Sequence, residues 1–354
     1  MRRALALARR GLGRTAPNPA VGAVVVKNGK IIGEGWHRKA GGPHAEVFAL
    51  EQAGEKAEGA DLYVTLEPCS HFGKTPPCAD LIIARGVARV FAAMKDPNPL
   101  VSGRGLAKLR KAGIAAECGL LGKEAAELNR AWLKFIRTGL PHLTVKAGQS
   151  LDGKIATHEW DSKWITSEPA RKYSRKYRNT FDAIIAGAET VIRDNPSLSA
   201  PDKLLLKVIV DGRLRVSPSS KIFSLPEKVL IACTREAVKA TPAKAAALSQ
   251  KAELVPMAGK NGRIPLAVLM KELGARGVTH ALCEGGGTLN GALFDAKLAD
   301  EVMFYISPMI IGGGTAKLSV AGSGAARMKD AAKIRNLEVK RIGDDYLFRG
   351  QVEY

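Results

Sequence analysis

The chain of 354 residues has no apolar run of about 18 residues, the length that a membrane-spanning helix requires. Residues 1–10 are partly apolar, but two arginines end the stretch before it reaches the length of a signal-peptide core. We therefore predict a first helix there, with Ala4, Leu5 and Ala8 facing inwards. Without a targeting or spanning segment, we expect a cytoplasmic protein that has no membrane partner.

Cysteine is also scarce, with five in the whole chain. A reducing compartment disfavours a disulfide between Cys69 and Cys78. We expect Cys118, Cys233 and Cys283 to be buried and unreactive, as most free cysteines are.

Acidic side chains are few, 34 against 54 lysines and arginines, so the formal net charge is +20. The positive excess is spread over both halves of the chain and does not form a tail or a patch interleaved with aromatic residues. A nucleic-acid-binding surface would concentrate that charge. We favour a solvated basic surface that attracts phosphorylated substrates and a dinucleotide, and we expect no nucleic-acid partner.

The strongest chemical pattern pairs His44 and Glu46 with Cys69 and Cys78, each cysteine being preceded by proline. One imidazole and two thiolates leave the fourth tetrahedral position of Zn²⁺ open for water, which the metal turns into a nucleophile. Glu46 is not needed as a ligand and can carry protons between that water and a leaving amine. This pattern is typical of deaminases that attack an amino-bearing ring carbon of a pyrimidine or purine.

The cysteine and histidine pattern has three other interpretations. A structural zinc site needs a fourth protein ligand, and His71 is the only close candidate. A tRNA or nucleoside deaminase fused to an unrelated domain is disfavoured, because eight residues separate Cys69 from Cys78 where such enzymes usually have two. An inactive zinc module that scaffolds partners is disfavoured by the intact Glu46.

A glycine-rich segment in the second half follows a predicted strand and precedes a predicted helix, at Glu284 and residues 285–288. Glycines at a helix N-terminus let backbone N–H groups approach a phosphate. Tight strand-to-helix turns use glycine just as often, and the spacing is not the dinucleotide fingerprint Gly-x-Gly-x-x-Gly. The segment alone therefore leaves both interpretations open.

Together these segments resemble the RibD family, the bifunctional deaminase–reductases of riboflavin biosynthesis. The resemblance covers essentially the whole chain and includes residues 18–22, 65–71, 150–153, 164–167 and 284–289. It implies an α/β fold class, with an N-terminal cytidine-deaminase-like three-layer α/β domain and a C-terminal dihydrofolate-reductase-like α/β domain. Because the sequence Thr-Gly-Leu-Pro-His at 138–142 interrupts the periodic pattern, we place the domains at 1–140 and 141–354.

The resemblance also implies the chemistry of both sites. Zn²⁺ would be held by His44, Cys69 and Cys78, with Glu46 as the catalytic acid and base for deamination of a ribosylaminopyrimidine 5′-phosphate. The residues around that substrate would be Asn18, His71, Lys74 and Thr75. NADPH would then reduce the ribose of the product to a ribityl chain. We expect a homo-oligomer, although the sequence does not give the number of subunits.

The implied positions in the reductase half fall into two groups. The NADPH contacts would be Gly148, Trp164, Thr190, Asp194, Gly286, Gly287, Thr288, Leu289, Asn290, Gly291 and Ala292. The contacts to the sugar phosphate substrate would be Ser162, Arg178, Leu198 and Glu284, with the guanidinium of Arg178 as a fork for the phosphate.

Two positions depart from the family pattern. Pro201 stands where relatives commonly carry an arginine that contacts the phosphate, so either Arg178 with a lysine such as Lys203 replaces it or the phosphate affinity is weaker. Gly212, after Asp211, stands where a polar side chain often contacts the cofactor.

The periodicity predicts alternating strands and helices in both halves, and Asn28-Gly29 predicts a hairpin between the first two strands. In the first half we predict strands at 21–26, 31–35, 61–66 and 88–93 and helices at 45–53, 79–85, 103–112 and 122–137. In the second half we predict strands at 143–148, 182–186, 206–211, 228–232, 279–283 and 300–306 and helices at 167–179, 265–275 and 287–294, with a surface helix at 239–251.

Overall fold

The computed structural model describes residues 1–71, 76–98 and 102–354. The chain falls into two compact units, Met1–Leu140 and Pro141–Tyr354. Among the helices in the described part of the chain, none combines the length and the apolar character needed to cross a membrane.

The first unit contains a five-stranded mixed sheet in the order β2-β1-β3-β4-β5. Strand β1 is antiparallel to both of its neighbours, and β3, β4 and β5 run parallel to one another. The elements of this unit are α1 (Arg2–Ala8), β1 (Gly22–Lys27), β2 (Lys30–Trp36), α2 (Ala45–Ala53), β3 (Asp61–Val64), α3 (Cys78–Ala84), β4 (Arg89–Ala92), α4 (Arg104–Lys111), β5 (Ala115–Cys118), α5 (Gly122–Leu128) and α6 (Arg130–Thr138).

Strand β1 explains why this unit has three layers. Successive side chains of a strand point to opposite faces of the sheet. Ala23 and Val25 enter the core that contains helix α2, whereas Val24 packs with Ala4 and Leu7 of helix α1. Both faces of the sheet are therefore covered by helices, and β1 is apolar along most of its length for that reason.

The second unit contains a nine-stranded sheet in the order β11-β10-β9-β8-β12-β6-β13-β16-β15, in which all pairings from β11 to β13 are parallel. Strands β16 and β15 add antiparallel pairings at one edge. The elements are β6 (His142–Ser150), β7 (Lys154–Ala156), α7 (Glu168–Tyr177), β8 (Ala183–Gly187), α8 (Ala188–Asp194), β9 (Leu206–Val210), β10 (Val229–Thr234), α9 (Arg235–Ala240), α10 (Pro242–Ser249), β11 (Glu253–Met257), α11 (Leu266–Ala275), β12 (His280–Cys283), α12 (Gly287–Asp295), β13 (Glu301–Ser307), β14 (Lys317–Leu318), β15 (Lys333–Ile342) and β16 (Asp345–Glu353).

The strand order of the second unit reverses between β8 and β12. From β8 the chain builds β9, β10 and β11 outwards on one side, and then returns to place β12 on the other side of β8. Open parallel sheets bind ligands outside the carboxyl ends of the strands at such a reversal. Gly187, at the end of β8, and Glu284, after β12, lie at this reversal in the sheet.

The structure confirms the α/β class and most of the predicted elements, but two predicted helices were wrong as single helices. The helix predicted at 122–137 is divided at Asn129, whose buried amide accepts a hydrogen bond from Ala20 N at 2.8 Å and donates one to Ala20 O at 3.0 Å. The surface helix predicted at 239–251 is divided at Thr241, because Pro242 cannot continue the preceding helix. Elements β5, β7, α8, β11, β14, β15 and β16 were not predicted.

The expectation for the cysteines outside the motif was correct for two of the three. Cys233 and Cys283 are buried, whereas Cys118 is exposed. Cys118 is the last residue of β5, an edge strand of which only one residue is buried. The inward-facing face of the first helix was predicted correctly, and Leu7 joins it.

Candidate functional sites

The three predicted metal ligands of the first unit lie together. His44 is the residue before helix α2, Cys69 follows β3, and Cys78 is the first residue of helix α3. His44 Nδ1 lies 3.2 Å from Cys78 Sγ and 3.6 Å from Cys69 Sγ. Tetrahedral zinc with ordinary bond lengths separates such ligand atoms by about 3.5 Å. This donor set therefore fits zinc with one coordination position left open.

The electrostatics of the cysteine pair also suit a metal ligand. The Cys78 thiol donates to Cys69, and this bond does most to lower the pKa of Cys69 to about 4. Burial opposes the shift, while His44 and the Cys78 N–H, 3.2 Å from Cys69 Sγ, support it. The pKa of Cys78 is raised, because its proton is held by Cys69 and because the thiol is buried. A cysteine that favours its thiolate is a cysteine prepared to bind metal.

Glu46 lies in the first turn of α2, two residues after His44, and is only 3% exposed. Burial raises the pKa of its carboxyl above the ordinary value. Its Oε2 atom has no hydrogen-bond partner among the residues that the structure describes. A buried, unsatisfied carboxylate oxygen is costly in a protein unless a ligand or a proton satisfies it. The Glu46 carboxyl is therefore placed to exchange a proton with a ligand that enters the site.

His37 is a residue of this site that the sequence analysis missed. Its Nδ1 atom donates to Pro43 O at 3.0 Å, which leaves Nε2 to accept from the Asn18 amide at 3.2 Å. Its ring meets the ring of His44 edge-on, with centroids 5.5 Å apart. Burial lowers the pKa of His37, which favours the neutral ring that this pattern requires. His37 thus fixes Asn18 and the turn before His44, but it belongs to no spacing motif that would reveal it.

Glu67 is a second missed residue, although it stands immediately before Pro68 and Cys69. Its carboxylate accepts four backbone N–H bonds, from Asp96, Gly103, Gly105 and Leu106, at 2.9 to 3.3 Å. A side chain at Gly105 would place its Cβ 1.9 Å from Pro68 O. The start of helix α4 is therefore held directly against the segment that carries Cys69.

The remaining predicted contacts of the first site are only partly visible. Asn18 is placed by His37 as described, and His71 is exposed. His71 is not part of the cluster of metal-binding groups found in the described residues, which contains only His44, Cys69 and Cys78 around this point. Lys74 and Thr75 lie outside the described residues.

The second unit has a cavity of about 1080 Å³ at the carboxyl ends of β8, β9 and β12. Several predicted positions line it: Ser162, Thr190, Asp194, Gly286, Gly287, Thr288, Leu289 and Ala292. The cavity therefore collects residues from α8 and α12, the helices that follow the two strands at the reversal point. Burial raises the pKa of Asp194.

Other residues predicted to contact the cofactor do not line this cavity. Asn290 is buried, and its amide donates to Ser319 O at 2.8 Å. Gly291 is packed so closely that a Cβ would lie 1.8 Å from Ala321 O. Trp164 is 66% exposed, with the Arg171 guanidinium 4.2 Å from its ring centroid. Gly148 faces Thr166, 3.1 Å from the position of a Cβ.

The glycines after Glu284 have different structural roles. A Cβ on Gly287 would lie 1.9 Å from Leu318 O, so this glycine is required by the protein's own packing. A Cβ on Gly286 would meet nothing nearer than Thr190 Oγ1, at 3.5 Å, and the Gly286 backbone is extended. Gly286 thus leaves open space on the wall of the cavity, which its own packing does not require.

Arg178 and Glu284 form a buried ion pair. Arg178 Nε and Nη2 donate to the two oxygens of Glu284 at 2.8 and 3.0 Å, and Nη1 donates to Ser199 O at 2.9 Å. Burial raises the pKa of Glu284, but Arg178 and Lys146, whose Nζ is 3.5 Å from Glu284, outweigh it and set that pKa at about 2. The Arg178 fork is thus bound within the protein, and its role toward a substrate phosphate stays a prediction.

Lys146, on strand β6, was not predicted, and its proximity to Glu284 is a product of the fold. Lys203, the proposed substitute for an arginine near Pro201, instead donates to Phe181 O at 2.5 Å and to Asp182 at 3.1 Å. Leu198 is buried in the hydrophobic core of this unit.

Comparison with known proteins gives two family matches. Residues 141–348 match the model described as the RibD C-terminal domain, and residues 1–94 match the model of the cytidine and deoxycytidylate deaminase zinc-binding region. The chain is 45% identical over 352 residues to the riboflavin biosynthesis protein RibD of Bacillus amyloliquefaciens, covering 98% of this chain and 93% of that protein. It is 43% identical over 361 residues to RibD of Escherichia coli strain K12, covering 98% and 96%.

Solved structures give the same result. Acinetobacter baumannii RibD, form 1, is 36% identical with a TM-score of 0.87, covering 100% of this chain and 98% of that one. A Thermotoga maritima protein titled diaminohydroxyphosphoribosylaminopyrimidine deaminase/5-amino-6-(5-phosphoribosylamino)uracil reductase is also 36% identical, with a TM-score of 0.85 and coverage of 100% and 97%.

Proposed function

The chain belongs to the RibD family, and from this membership and its two sites we propose that it catalyses two steps of riboflavin biosynthesis. The first is the hydrolytic deamination of 2,5-diamino-6-(ribosylamino)-4(3H)-pyrimidinone 5′-phosphate. The second is the NADPH-dependent reduction of 5-amino-6-(5-phosphoribosylamino)uracil, which converts its ribose to a ribityl chain. The unit Met1–Leu140 would carry the deaminase and Pro141–Tyr354 the reductase.

The observation that carries the deaminase assignment is Glu46 Oε2, buried without a partner in the described structure and two residues from His44. His44, Cys69 and Cys78 would hold zinc, which when bound would activate a water molecule for attack on the ring carbon bearing the 2-amino group. Glu46 would take a proton from that water and deliver it to the departing amine, so that ammonia leaves. Asn18, held by His37, would orient the pyrimidine ring.

The reductase assignment is supported by the cavity at the strand reversal. NADPH, when bound, would supply the hydride that reaches C1′ of the ring-opened ribose. The open face of Gly286 and the N-terminus of helix α12 would hold the pyrophosphate, because helix N-termini present free N–H groups to anions. Thr190 would supply a hydroxyl group to NADPH, and Ser162, which lines the same cavity, would supply one to the sugar phosphate substrate. The protein's part in this step is placement and electrostatics.

One assay tests both assignments together. The full-length protein is incubated with the pyrimidine nucleotide and NADPH, and ammonia release and NADPH oxidation are measured side by side, with bound zinc quantified. The proposal predicts both signals and one zinc per chain. Deamination of adenosine in tRNA without NADPH oxidation would instead support the tRNA-deaminase alternative, and neither activity would support an inactive zinc module.

A further inference from the structure

A smaller cavity of about 560 Å³ adjoins the large one in the second unit. It is lined by residues 258–261 and 263–265, which follow β11, together with Arg213, which follows β9. Arg213, Asn261 and Arg263 line both cavities, so the two are continuous.

The turn at 260–263 places two basic residues side by side. Asn261 and Gly262 both have positive φ angles, 56° and 74°, as a tight two-residue hairpin turn requires. Lys260 and Arg263 flank them as a bridged pair, with Arg263 N donating to Lys260 O at 3.0 Å. The backbone therefore fixes where the Lys260 and Arg263 side chains begin.

Gly212 allows this turn to pack on the end of β9. A Cβ on Gly212 would lie 1.9 Å from Gly262 O, so any side chain at position 212 would push the turn away. Arg213 Nη2 donates to Asn261 O at 3.2 Å from the other side. The polar side chain that the family resemblance leads one to expect at position 212 is thus replaced by a turn that carries two cations.

The charges at this point are not compensated by the protein. Arg213, Lys260 and Arg263 are exposed, and within the described ranges no acidic group lies within 4.0 Å of any of them. Nearby Arg215, by contrast, pairs with Glu189 at 2.8 Å. Three free cations at the end of a dinucleotide-sized cavity form a site for a doubly charged anion.

The position matches one end of a dinucleotide. Strand β9 is two strands from β12 in the sheet, about 10 Å at the usual spacing of neighbouring strands. If the pyrophosphate of the dinucleotide lies at Gly286, after β12, its adenosine would span that separation. The ribose would then lie at the 260–263 turn. Asp211 is 1% exposed and accepts from Val216 N at 2.8 Å through Oδ2, while its Oδ1 has no hydrogen-bond partner among the described residues.

We propose that Arg213, Lys260 and Arg263 bind the 2′-phosphate of the dinucleotide and make the reductase select NADPH over NADH. The inference rests on the proposed reductase function and adds the residues that choose the cofactor. NADPH and NADH share the nicotinamide, the pyrophosphate and the adenosine and differ only in the 2′-phosphate. The ratio of their affinities therefore measures the contribution of these three cations.

The test is equilibrium binding to the full-length protein at about 0.15 M ionic strength, where distant surface charges are screened. The probes are NADPH and NADH, with adenosine 2′,5′-bisphosphate and 5′-AMP as fragments that differ only in the 2′-phosphate. The variant is Lys260→Ala/Arg263→Ala. The charge-matched control is Lys251→Ala/Lys271→Ala, at two exposed positions that line neither cavity.

The wild type should bind NADPH and the bisphosphate more tightly than their counterparts. The variant should weaken NADPH binding by about tenfold or more, the loss expected for one or two charge-assisted bonds, with NADH and 5′-AMP unchanged. The control should bind all four probes as the wild type does.

An unchanged ratio of NADPH to NADH affinity in Lys260→Ala/Arg263→Ala would overturn the assignment of these cations while the reductase function stands. If the wild type bound neither dinucleotide, the reductase function itself would fail, and this inference with it.

Discussion

The cluster of predicted metal ligands in the first unit and the large cavity of the second unit differ in the number of residues that form them. In the cluster two cysteine sulfurs lie 3.2 and 3.6 Å from His44 Nδ1, and one carboxylate lies beside them. The cavity is about 1080 Å³ in volume, and its walls come from several strand ends and two helices. Single substitutions should therefore abolish function at the first site, whereas at the second they should divide into losses of stability and losses of binding.

The largest expected effect on activity comes from substituting Glu46. Glu46→Gln keeps the shape of the side chain but cannot carry the proton, so deamination should fall by about 10²–10⁴-fold, the usual contribution of general acid–base catalysis. Zinc content and NADPH oxidation with the deaminated substrate should stay at wild-type levels. An equal fall in both activities would contradict the separation of the two sites.

The next largest effect is the loss of stability that comes from substituting Arg178. Arg178→Ala leaves the buried Glu284 without its main partner, and breaking a buried pair in this way costs about 3–5 kcal/mol. Chemical denaturation should therefore show a large loss of stability, which Arg178→Lys recovers in part, because one ammonium cannot replace the guanidinium fork.

The double variant Arg178→Ala/Glu284→Gln distinguishes pairing from phosphate binding. Removing both charges should restore much of the stability that Arg178→Ala loses, since the charge that then lacks its partner is Lys146, whose side chain is 21% exposed. If the only defect of Arg178→Ala were a raised KM for the reductase substrate, with stability unchanged, the phosphate role would outweigh the ion pair.

A third effect is the pH dependence of stability that Glu284 confers. Its folded pKa of about 2 lies below the ordinary value of 4.5, so the unfolded chain binds the proton more readily. The stabilisation is complete above pH 4.5 and is lost as the pH falls towards 2. The difference in unfolding free energy between wild type and Glu284→Gln should shrink over that interval. Parallel curves for the two proteins would show that the pair does not depress this pKa.

The smallest effects separate two neighbouring glycines. Gly287→Ala forces a Cβ against Leu318 O and should destabilise the second unit by about 1–3 kcal/mol, as overpacking does. Gly286→Ala should leave the thermal unfolding temperature unchanged, because its Cβ has space, but should weaken NADPH binding. If both variants behaved alike, the distinction between a packing glycine and a ligand-facing glycine would be wrong.

The sequence predicted that His44, Cys69 and Cys78 lie together, because metal ligation demands particular residue types at short spacing. His44, Cys69 and Cys78 are found by that demand alone. His37 could not be found in the same way, since its role depends on two hydrogen bonds, to Asn18 and Pro43, that exist only after the β1–β2 hairpin and the start of α2 have packed.

The second site was harder because its residues are far apart in the chain. Arg178 and Glu284 are 106 residues apart, and nothing local indicates that one neutralises the other. The glycine motif was recognised, but sequence cannot separate Gly286, which faces the cavity, from Gly287 and Gly291, which contact the backbone of the segment around 318–321.

The same limit applies to the elements that were missed. Strand β15 is mostly exposed, and its alternation of apolar and polar residues is broken where the register shifts between Arg335 and Glu338, so its pairing with β16 is what identifies it as a strand. Asn129 ends a helix through a contact with Ala20, 109 residues away.

The contact between Gly212 and Gly262 has an evolutionary consequence. A relative could acquire a side chain at position 212 only if the 260–263 turn were first shortened or moved, and a relative with this turn could not tolerate one. Position 212 and the 260–263 turn are therefore epistatic. The residue at position 212 determines which turns are tolerated, and the turn determines which residues are tolerated at position 212. Family members should divide into two groups, one with a side chain at this position and one with glycine and a basic turn, and chimaeras that combine one feature of each should fold poorly.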